Sequence, residues 1–218
     1  MILYDFAKLK DVEAYKDLKD RLNEIKGEVS ILVNNVGIFK DTKFHEMHEQ
    51  DIQDSISVTI NSQTYMSRIM IPKLLARDAT KRSAVINIAS VAGLTEGNKN
   101  TPVYGPAKGY NMIFGKCLHD TYKDRIDVLT ITPNTIKTNM NSGRYVFSIE
   151  SDTFANSALD RLGYDYYTRG NWKHALEPYA LNTPVFGWVI RYINNNRFEA
   201  FKKERDEKKA EEKLAADG

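Results

Sequence analysis

The sequence predicts an α/β protein in which helices flank a parallel β-sheet, and two features of its pattern support this. First, several short runs are almost continuously apolar, as is typical of parallel strands buried on both faces; residues 29–33 are one example. Second, the intervening segments repeat their apolar residues with a period close to 3.6, as amphipathic helices do. Ligands of such sheets bind at the carboxyl ends of the strands, so a site is expected in the turns that follow them.

The elements are predicted in chain order from these patterns. The predicted strands are residues 2–6, 29–33, 84–89 and 127–132. The predicted helices are a segment that Asp11 caps and Gly27 ends, the strongly apolar segment 58–76, and a segment that begins near Tyr104. Residues 41–57 are polar and are expected to form a loop and a short helix.

The domain organisation is predicted from length and composition. Residues 1–196 are long enough for a single domain with its own core. Residues 197–218 hold seven basic and seven acidic residues with few apolar ones, so they are expected to form a solvated, helical tail. Before the tail, Phe186, Trp188 and Tyr192 suggest either a short amphipathic contact or packing against the domain.

Composition argues against several classes of function. With 31 basic and 29 acidic residues the net charge is +2, so no nucleic-acid partner is predicted. The single cysteine, Cys117, cannot form an internal disulfide and fits a reducing compartment. No apolar run reaches the roughly 18 residues that a membrane span needs. His45 and His48 lie three residues apart, but no third ligand accompanies them, so no metal site is predicted.

Tyr104 and Lys108 form the first candidate site. Residues four apart lie on one face of a helix, so the lysine ammonium is expected to lie near the phenol. A nearby cation favours the phenolate and lowers the tyrosine pKa from about 10, which makes the phenol a useful acid or base. Pro106 lies between the two and must fall in the first helical turn. The alternative is a solvated pair that occurs by chance.

Motifs at the ends of the predicted strands surround this pair. They read LVNNVG at 32–37, INIAS at 86–90, YGPAK at 104–108 and ITPNTIKT at 131–138. In this order and on these elements, they closely resemble the short-chain dehydrogenase/reductase superfamily, over roughly residues 2–180. The resemblance implies a Rossmann-like, doubly wound parallel sheet and an oxidoreductase that uses NADP(H), with NAD(H) left open.

The resemblance also implies roles for individual residues. Tyr104 would protonate the alkoxide that forms when hydride reaches a carbonyl carbon, Ser90 would hold the carbonyl oxygen, and Lys108 would lower the tyrosine pKa and bind the nicotinamide ribose. The cofactor-binding residues that it implies are Asp5, Asn34, Val36, Gly37, Tyr104, Lys108, Pro133, Ile136 and Thr138. The structural alternatives are a turn cap for Ser90 and a solvated helical residue for Lys108.

Softer motifs indicate a branch of the superfamily. NNVG at 34–37, CLHDTY at 117–122 and TRGNWKHA at 168–175 resemble the 3-oxoacyl-CoA reductase and 17-beta-hydroxysteroid dehydrogenase branch of microsomal fatty-acid elongation. The implied substrate is an acyl-CoA or a steroid, at the endoplasmic reticulum membrane or otherwise in the cytoplasm. Membrane association and a homodimer are further expectations of this resemblance. The alternative function is a catalytically inactive scaffold, or a fragment unable to bind cofactor.

Three departures from the family pattern affect the catalytic residues. The family's catalytic asparagine corresponds in position to Thr59, whereas Asn61 lies two residues further on, a rotation of about 200° along a helix. Asn61 is retained as the candidate for this role. The usual glycine after Pro133 is Asn134, which tolerates left-handed backbone conformations. The spacing between Ser90 and Tyr104 is one residue longer than is usual, and the polar stretch near Asn98 is expected to absorb it.

The glycine-rich turn that holds the cofactor pyrophosphate in this family is absent from the 218 residues. Residues 4–6 resemble the end of the family's third strand, with Asp5 in the position that meets the adenine. The chain is therefore expected to be truncated at its amino terminus relative to the family. In that case the strand at 2–6 pairs beside residues 29–33, or that edge of the sheet stays open.

Overall fold

The computed structural model describes residues 2–94, 101–138 and 145–216 of the chain. They form two compact units: unit 1 comprises Met1–Pro133 and Asn156–Gly170, and unit 2 comprises Asn134–Ala155 and Asn171–Gly218. The strands are β1 (Ile31–Asn34), β2 (Ser83–Ile88), β3 (Ile126–Ile131), β4 (Ile136–Lys137), β5 (Ile149–Glu150) and β6 (Tyr167–Thr168). The helices are α1 (Ala14–Asn23), α2 (Glu49–Ile56), α3 (Ser62–Leu75), α4 (Tyr104–Tyr122), α5 (Ser151–Leu159), α6 (Trp172–Asn182) and α7 (Pro184–Ala216).

Unit 1 contains a parallel sheet of four strands in the order β1-β2-β3-β6. The predicted α/β class and Rossmann-like parallel sheet are confirmed. The strands predicted at 84–89 and 127–132 correspond to β2 and β3, and both are buried along nearly their whole length. Val85, Ile126 and Leu129 are fully buried between the sheet and the helices.

The prediction of a strand at 2–6 is wrong. Phe6–Lys8 forms a 3-10 turn, which the Asp5 carboxylate caps by accepting a hydrogen bond from the Ala7 N–H. Tyr4 instead donates a hydrogen bond to Asp17 on α1. A strand exists only when a neighbour pairs with it, and no pairing partner for this segment exists in the part of the chain that the structure describes.

β1 consequently lies at one edge of the described sheet. Leu32 and Asn34 are buried, but Ile31 and Val33, which point to the other face, are 47% and 53% exposed. The expectation that residues 29–33 are buried on both faces is therefore wrong for this strand. Of the two alternatives for this edge, the open edge is the one that the described residues show.

The helix predicted at 58–76 contains a change of helical type. Ser57–Asn61 forms a π-helical turn between α2 and α3, which make one continuous helical stretch. α3 supplies Met70, Ile71 and Leu74 to the apolar core under β1 and β2. A π turn widens the helix locally, and such turns are frequent at functional sites.

Unit 2 contains the two-stranded parallel sheet of β4 and β5 together with α6 and α7. α7 runs through residue 197 without interruption as far as Ala216, and the charged tail at 197–218 stays a prediction. Whether 1–196 behaves as a single domain stays a prediction. Every helix in the described part of the chain is too short or too polar to cross a bilayer.

Candidate active site

Ser90 lies just after β2, where the chain enters a short 3-10 turn, Val91–Gly93. Its Oγ accepts a hydrogen bond from the Ala92 N–H at 3.2 Å, so the predicted turn cap is present. The Ser90 side chain also lies beside the Tyr104 phenol and acts to lower the pKa of that phenol. The structural and the functional interpretation of Ser90 are therefore compatible, and the cap holds the side chain in place.

Tyr104 and Lys108 occupy the first turns of α4, as predicted. Lys108 is only 4% exposed, so the alternative of a solvated lysine is wrong. Its Nζ lies 5.9 Å from the centroid of the Tyr104 ring and donates a hydrogen bond of 2.8 Å to the Ile88 carbonyl. Pro106 lies in the first turn of the helix, where a proline removes no intrahelical hydrogen bond.

Burial dominates the titration of both groups. It raises the pKa of the Tyr104 phenol, and the neighbouring Ser90 side chain offsets part of that rise. It lowers the pKa of the Lys108 ammonium to about 8, so the amine is still mostly charged at neutral pH. The expectation that Lys108 lowers the tyrosine pKa is not met, because desolvation of the half-buried phenol outweighs the effect of Ser90, which favours phenolate.

Gly37 brings the turn after β1 against Lys108. A Cβ atom at this position would lie 3.2 Å from Lys108 Nζ and 3.9 Å from Thr59 Oγ1. The backbone of the turn, the lysine ammonium and the threonine hydroxyl therefore meet at one point. Gly37 was expected at the site, and the close approach gives a steric reason for a glycine there.

Thr59, and not Asn61, reaches this group. Thr59 lies on the π-helical turn, is 1% exposed, and its hydroxyl has no hydrogen-bond partner among the described residues. Asn61 instead donates to the Lys10 carbonyl at 3.4 Å. The structure does not bring Asn61 to Lys108, because two residues along a helix point to opposite sides.

Gly93 is a residue whose role sequence reasoning missed. A Cβ atom there would lie 2.5 Å from the Gly109 nitrogen and 2.7 Å from the Lys108 carbonyl carbon. Only a glycine lets the turn that carries Ser90 pack directly on the α4 backbone. This contact fixes the distance between Ser90 and the two α4 side chains.

Phe39 is a second residue that sequence reasoning missed. Its ring meets the Tyr104 ring edge to face, with centroids 5.1 Å apart, and it is 44% exposed. An aromatic side chain two residues after a turn gives no signal of this contact in the sequence. Phe39 forms an apolar wall beside the phenol.

Asn34 and Asp5 have structural contacts that account for their side chains. Asn34 is buried and donates hydrogen bonds to the Asn87 side-chain oxygen at 2.9 Å and to Ser67 Oγ at 3.2 Å. These bonds tie β1 to β2 and to α3.

Asp5 is exposed and caps the 3-10 turn Phe6–Lys8, so the strand end on which Asp5 was expected is not present. Val36 is 41% exposed at the turn after β1.

The predicted loop after β3 divides between the two units. Pro133 belongs to unit 1 and is buried, and its carbonyl accepts a hydrogen bond from the Val91 N–H at 3.0 Å, next to Ser90. Ile136, on β4, and Thr138 belong to unit 2. The stretch near Asn98 that was expected to absorb the longer spacing lies outside the described residues.

Asn134 is held by two side chains of α6. Its N–H donates to His174 Nδ1 at 3.3 Å, and its side-chain amide donates to Glu177. Among the described residues, only glycines have positive φ, so the left-handed conformation expected for Asn134 is not used. His174 lies in the motif at 168–175, and its contacts show that this motif anchors the loop.

The described residues contain no group of three or more histidine, cysteine or acidic side chains that suits a metal ion. The chemistry that the described side chains offer at the site is that of two hydroxyls, Ser90 and Tyr104, beside a buried amine. Such a pair can hold an oxygen atom and transfer a proton to it.

The fold and this site define a family, and comparison with known sequences agrees. The sequence profile of the short chain dehydrogenases matches residues 2–145. The chain belongs to this family, as the motifs predicted. It is 31% identical to hydroxysteroid dehydrogenase-like protein 1 of Gallus gallus over 197 residues, which cover 86% of this chain and 57% of that protein. It is 28% identical to very-long-chain 3-oxoacyl-CoA reductase of Rattus norvegicus over 195 residues, covering 86% of this chain and 59% of that protein.

A solved structure extends the comparison to the fold. A short-chain dehydrogenase from Sphingobium yanoikuyae in complex with NADPH matches with a TM-score of 0.64 at 20% identity, over 84% of this chain and 72% of that one. At this identity the likeness shows the fold alone. The chain spans somewhat more than half the length of the two curated relatives, and it lies in the branch that they represent.

Proposed function

We propose that this chain carries the catalytic residues of an NAD(P)-dependent oxidoreductase that reduces the carbonyl group of a 3-oxoacyl-CoA or a steroid. One observation carries the proposal: the Tyr104 phenol, whose pKa Ser90 acts to lower, lies beside a lysine that is only 4% exposed, with Lys108 Nζ 5.9 Å from the centroid of the Tyr104 ring. A buried amine destabilises the folded protein. Ionisable groups whose pKa is perturbed in this way concentrate at functional sites, so the burial of Lys108 supports a functional role.

Each residue has a defined task in this proposal. The Tyr104 hydroxyl donates its proton to the substrate oxygen, while the Ser90 hydroxyl holds that oxygen by a hydrogen bond. Because the pKa of the Tyr104 phenol is raised, the phenol is protonated at neutral pH and has a proton to donate. An ammonium has three N–H donors, and Lys108 uses one of them on the Ile88 carbonyl. The other two remain to bind a ribose hydroxyl or to return a proton to Tyr104 after it has donated its own.

The cofactor proposal rests on the same residues. The unpartnered Thr59 hydroxyl and the remaining Lys108 donors offer a polar surface of the kind that a ribose can occupy. Val36, Gly37, Pro133, Ile136 and Thr138 stay proposed contacts of the cofactor. NADP(H), or NAD(H), would supply the hydride. The NADPH bound to the structural relative supports a nicotinamide cofactor.

We assign the fourth catalytic position to Thr59 in place of the predicted Asn61. Support comes from its burial, its unpartnered hydroxyl and its position beside Gly37 and Lys108. Neighbouring hydroxyls on the same helical stretch, those of Ser62 and Thr64, bond to the carbonyl four residues earlier. The Thr59 hydroxyl makes no such bond, so we propose that it relays a proton to or from Lys108 through a bound water molecule.

The substrate class, location and assembly rest on the relatives. The names of the chicken and rat proteins support a steroid or a 3-oxoacyl-CoA as substrate, and fatty-acid elongation at the endoplasmic reticulum as the setting. A homodimer is proposed on the family resemblance only. The softer motifs at 117–122 and 168–175 agree with this branch.

The competing candidate is a catalytically inactive scaffold. Two observations favour it: threonine stands where the family pattern has asparagine, and the 218 residues contain no glycine-rich phosphate turn. An inactive relative would keep the fold but neither bind the cofactor nor turn over a substrate. The two candidates therefore differ in a property that can be measured directly.

The deciding experiment measures NADPH binding by fluorescence and calorimetry, together with NADPH-dependent reduction of a 3-oxoacyl-CoA and of a 17-ketosteroid. We expect binding at millimolar cofactor, and we expect Tyr104→Phe to abolish turnover while leaving binding intact. Tyr164→Phe is the matched control, since Tyr164 is 88% exposed and far from these contacts in sequence. Absence of both binding and turnover would reject the enzyme for this chain and favour the scaffold.

A further inference from the structure

His174 lies in the first turn of α6 and is fully buried. Its Nδ1 accepts a hydrogen bond from the Asn134 N–H at 3.3 Å, and its Nε2 lies 3.2 Å from the Thr135 carbonyl oxygen. A backbone N–H can only donate and a carbonyl can only accept, so Nδ1 carries no proton and Nε2 carries one. The two contacts together therefore define a neutral imidazole with a single tautomer.

Glu177 adds a third contact from the same helix. It lies three residues after His174, on the same face of α6, and is 6% exposed. Its carboxylate accepts a hydrogen bond from the side-chain amide of Asn134. We name these two side chains, His174 and Glu177, the α6 clamp. The clamp holds the N–H and the side chain of Asn134 as well as the carbonyl of Thr135.

The clamped residues form the start of the segment that leads into β4. The Thr135 carbonyl also accepts a hydrogen bond from the Ile149 N–H at 3.3 Å, where β5 begins. The next residue, Ile136, pairs with Ile149 in the sheet of β4 and β5. Phe154, on α5, packs against the imidazole ring, with ring centroids 5.8 Å apart. The α6 clamp, β5 and α5 therefore fix one short segment within unit 2.

The direction of this segment depends on the hydrogen bonds that Asn134 makes. Among the described residues positive φ occurs only at glycines, so Asn134 adopts an ordinary backbone conformation and lacks the freedom of a glycine. Without His174, the Asn134 N–H and the Thr135 carbonyl would each lose a partner. Backbone groups that lose a partner inside a protein rearrange to find another one, or they destabilise the fold. Loss of the imidazole is therefore expected to change the path of residues 134–135.

We infer that His174, together with Glu177, is a positioning residue for cofactor binding: it holds residues 134–135 so that the segment after them presents Ile136 and Thr138 to the cofactor. This inference rests on the proposed function, in which those two residues are cofactor contacts. Neither side chain of the clamp has to touch the cofactor. A segment that is already ordered loses less conformational freedom on binding, so the clamp raises the affinity.

The alternative is that the α6 clamp stabilises unit 2 and does nothing else. A buried histidine with both ring nitrogens hydrogen-bonded is also found in protein cores that have no role in binding. This alternative predicts that loss of His174 lowers the free energy of unfolding and leaves the affinity for NADPH unchanged. The two interpretations therefore differ in a quantity that calorimetry measures.

Two substitutions of His174 separate the ring from its hydrogen bonds. His174→Phe keeps an aromatic ring beside Phe154 but can neither accept from Asn134 nor donate to Thr135. His174→Asn places a side-chain oxygen close to the position of Nδ1, so it restores the bond to the Asn134 N–H. Tyr179→Phe, at a 74% exposed position of the same helix, is the matched control and should change nothing.

Amide hydrogen exchange of the protein without cofactor measures the clamp itself. We expect the amides of residues 134–137 to exchange at least about tenfold faster in His174→Phe than in the wild type, because local opening becomes easier. The amides of β2 and β3 in unit 1 should keep their rates. His174→Asn is expected to lie between His174→Phe and the wild type. Circular dichroism and thermal unfolding check that each variant folds.

Calorimetry and steady-state kinetics measure the consequence for the cofactor. In His174→Phe the Kd and the KM for NADPH are expected to rise about tenfold, while kcat at saturating NADPH stays within about threefold, because Ser90, Tyr104 and Lys108 are unchanged. His174→Asn should recover part of the affinity. Glu177→Gln keeps an accepting oxygen for Asn134 and should bind NADPH like the wild type, whereas Glu177→Leu should bind it more weakly. If His174→Phe does not fold, His174→Asn and the two Glu177 variants decide the question.

Two results would overturn the inference while the proposed reductase stands. One is an unchanged exchange rate at residues 134–137 in His174→Phe and Glu177→Leu. The other is faster exchange in these variants with an unchanged affinity for NADPH, which would leave the clamp with a structural role only. A wild-type protein that does not bind NADPH would refute the proposed reductase and this inference together. The wild-type titration therefore distinguishes the two failures.

Discussion

At the scale of single residues, burial decides the properties of the candidate site. Lys108 is a strongly hydrated ion held in a nearly closed environment, where desolvation disfavours its charged form. Thr59 is a hydroxyl without a partner in the described part of the chain. Both arrangements destabilise the folded protein, and both are expected where a protein sacrifices stability for chemistry.

Replacing Lys108 by methionine is expected to stabilise the protein while abolishing turnover. A folded-state pKa of about 8 against an ordinary 10.5 means that burying the Lys108 ammonium destabilises the wild type by roughly 3 kcal/mol at neutral pH. The variant escapes this penalty but loses the hydrogen bond to Ile88, which costs about 1 kcal/mol. Because the folded-state pKa is lowered, this penalty is complete below pH 8 and disappears as pH rises toward 10.5.

Urea unfolding of the protein without cofactor measures this effect. The advantage of Lys108→Met over wild type should be close to 2 kcal/mol at pH 7 and close to zero near pH 10. Lys116→Met, at an exposed position of the same helix, is the control and should show no pH-dependent advantage. A gap of constant size across this pH range would contradict the burial argument.

Replacing Thr59 by valine tests the proton-transfer role. Valine keeps the branched shape and removes a buried hydroxyl without a partner, so the free energy of unfolding is expected to stay equal or to rise by about 1 kcal/mol. The turnover number is expected to fall by about a hundredfold, in the range of lost acid–base assistance. Thr59→Ser restores the hydroxyl and should recover most of the activity. Full activity in Thr59→Val would show that the hydroxyl transfers no proton.

At the scale of elements, the site depends on how closely α4 approaches the turn after β2. The contact of Gly93 with the backbone at Lys108 and Gly109 leaves no room for a side chain. Backbone atoms cannot rotate away as side chains can. Any added volume at Gly93 therefore displaces Ser90 from Tyr104, or moves the start of α4.

The variant Gly93→Ala is expected to reduce the turnover number by about a hundredfold while cofactor binding persists, because a displacement near 1 Å of catalytic groups has effects of this size. Gly109→Ala is the matched control from the other side of the same contact. Its added Cβ would lie 3.4 Å from the Gly93 carbonyl oxygen, an ordinary contact, so activity should be retained. Steady-state kinetics with thermal unfolding separates lost activity from lost folding, and equal activity in both variants would refute the steric argument.

At the scale of the whole molecule, the sheet of unit 1 ends in an apolar surface. Ile31 and Val33 are about half exposed on an edge strand, and such strands template association with other chains. We expect the isolated protein to self-associate through this strand. The double substitution Ile31→Thr with Val33→Thr keeps residues that favour strands and removes apolar surface.

This variant is expected to remain monomeric at higher concentration in sedimentation and light scattering. Its midpoint of unfolding should change little, because neither side chain is buried in the described structure. Val12→Thr, at a 69% exposed position outside the sheet, serves as the control and should leave association unchanged. Association that persists in the double variant would place the contact elsewhere.

How far the sequence predicts this molecule depends on whether a signal is local. β2 and β3 could be predicted because each is a short, mostly apolar run, and α4 because its helical spacing pairs Tyr104 with Lys108. The strand expected at 2–6 failed because strand formation requires a neighbour that a local pattern does not reveal.

The site residues that can be recognised by their type and order were predicted, whereas those whose role depends on packing in the folded protein were missed. Ser90, Tyr104 and Lys108 could be identified from their order in the chain. The π-helical turn that turns Thr59 toward Lys108 leaves no mark in the sequence, and neither does the contact of Gly93 with α4. The direction of the Tyr104 pKa was wrong because charge can be read from the sequence, whereas burial cannot.

Phe39 is the position at which the space beside the Tyr104 phenol can be changed with the least disturbance to the fold. The turn Val91–Gly93, which follows Ser90, is fixed by the backbone contact of Gly93 with α4. Substitutions in this turn would therefore displace Ser90 before they changed which substrates fit. The ring against Tyr104 is partly exposed and belongs to no strand or helix, so a smaller side chain there widens the space beside the phenol without moving the backbone. Saturation mutagenesis of Phe39 is therefore the first library to make for changing the bulk of the carbonyl substrate that we propose.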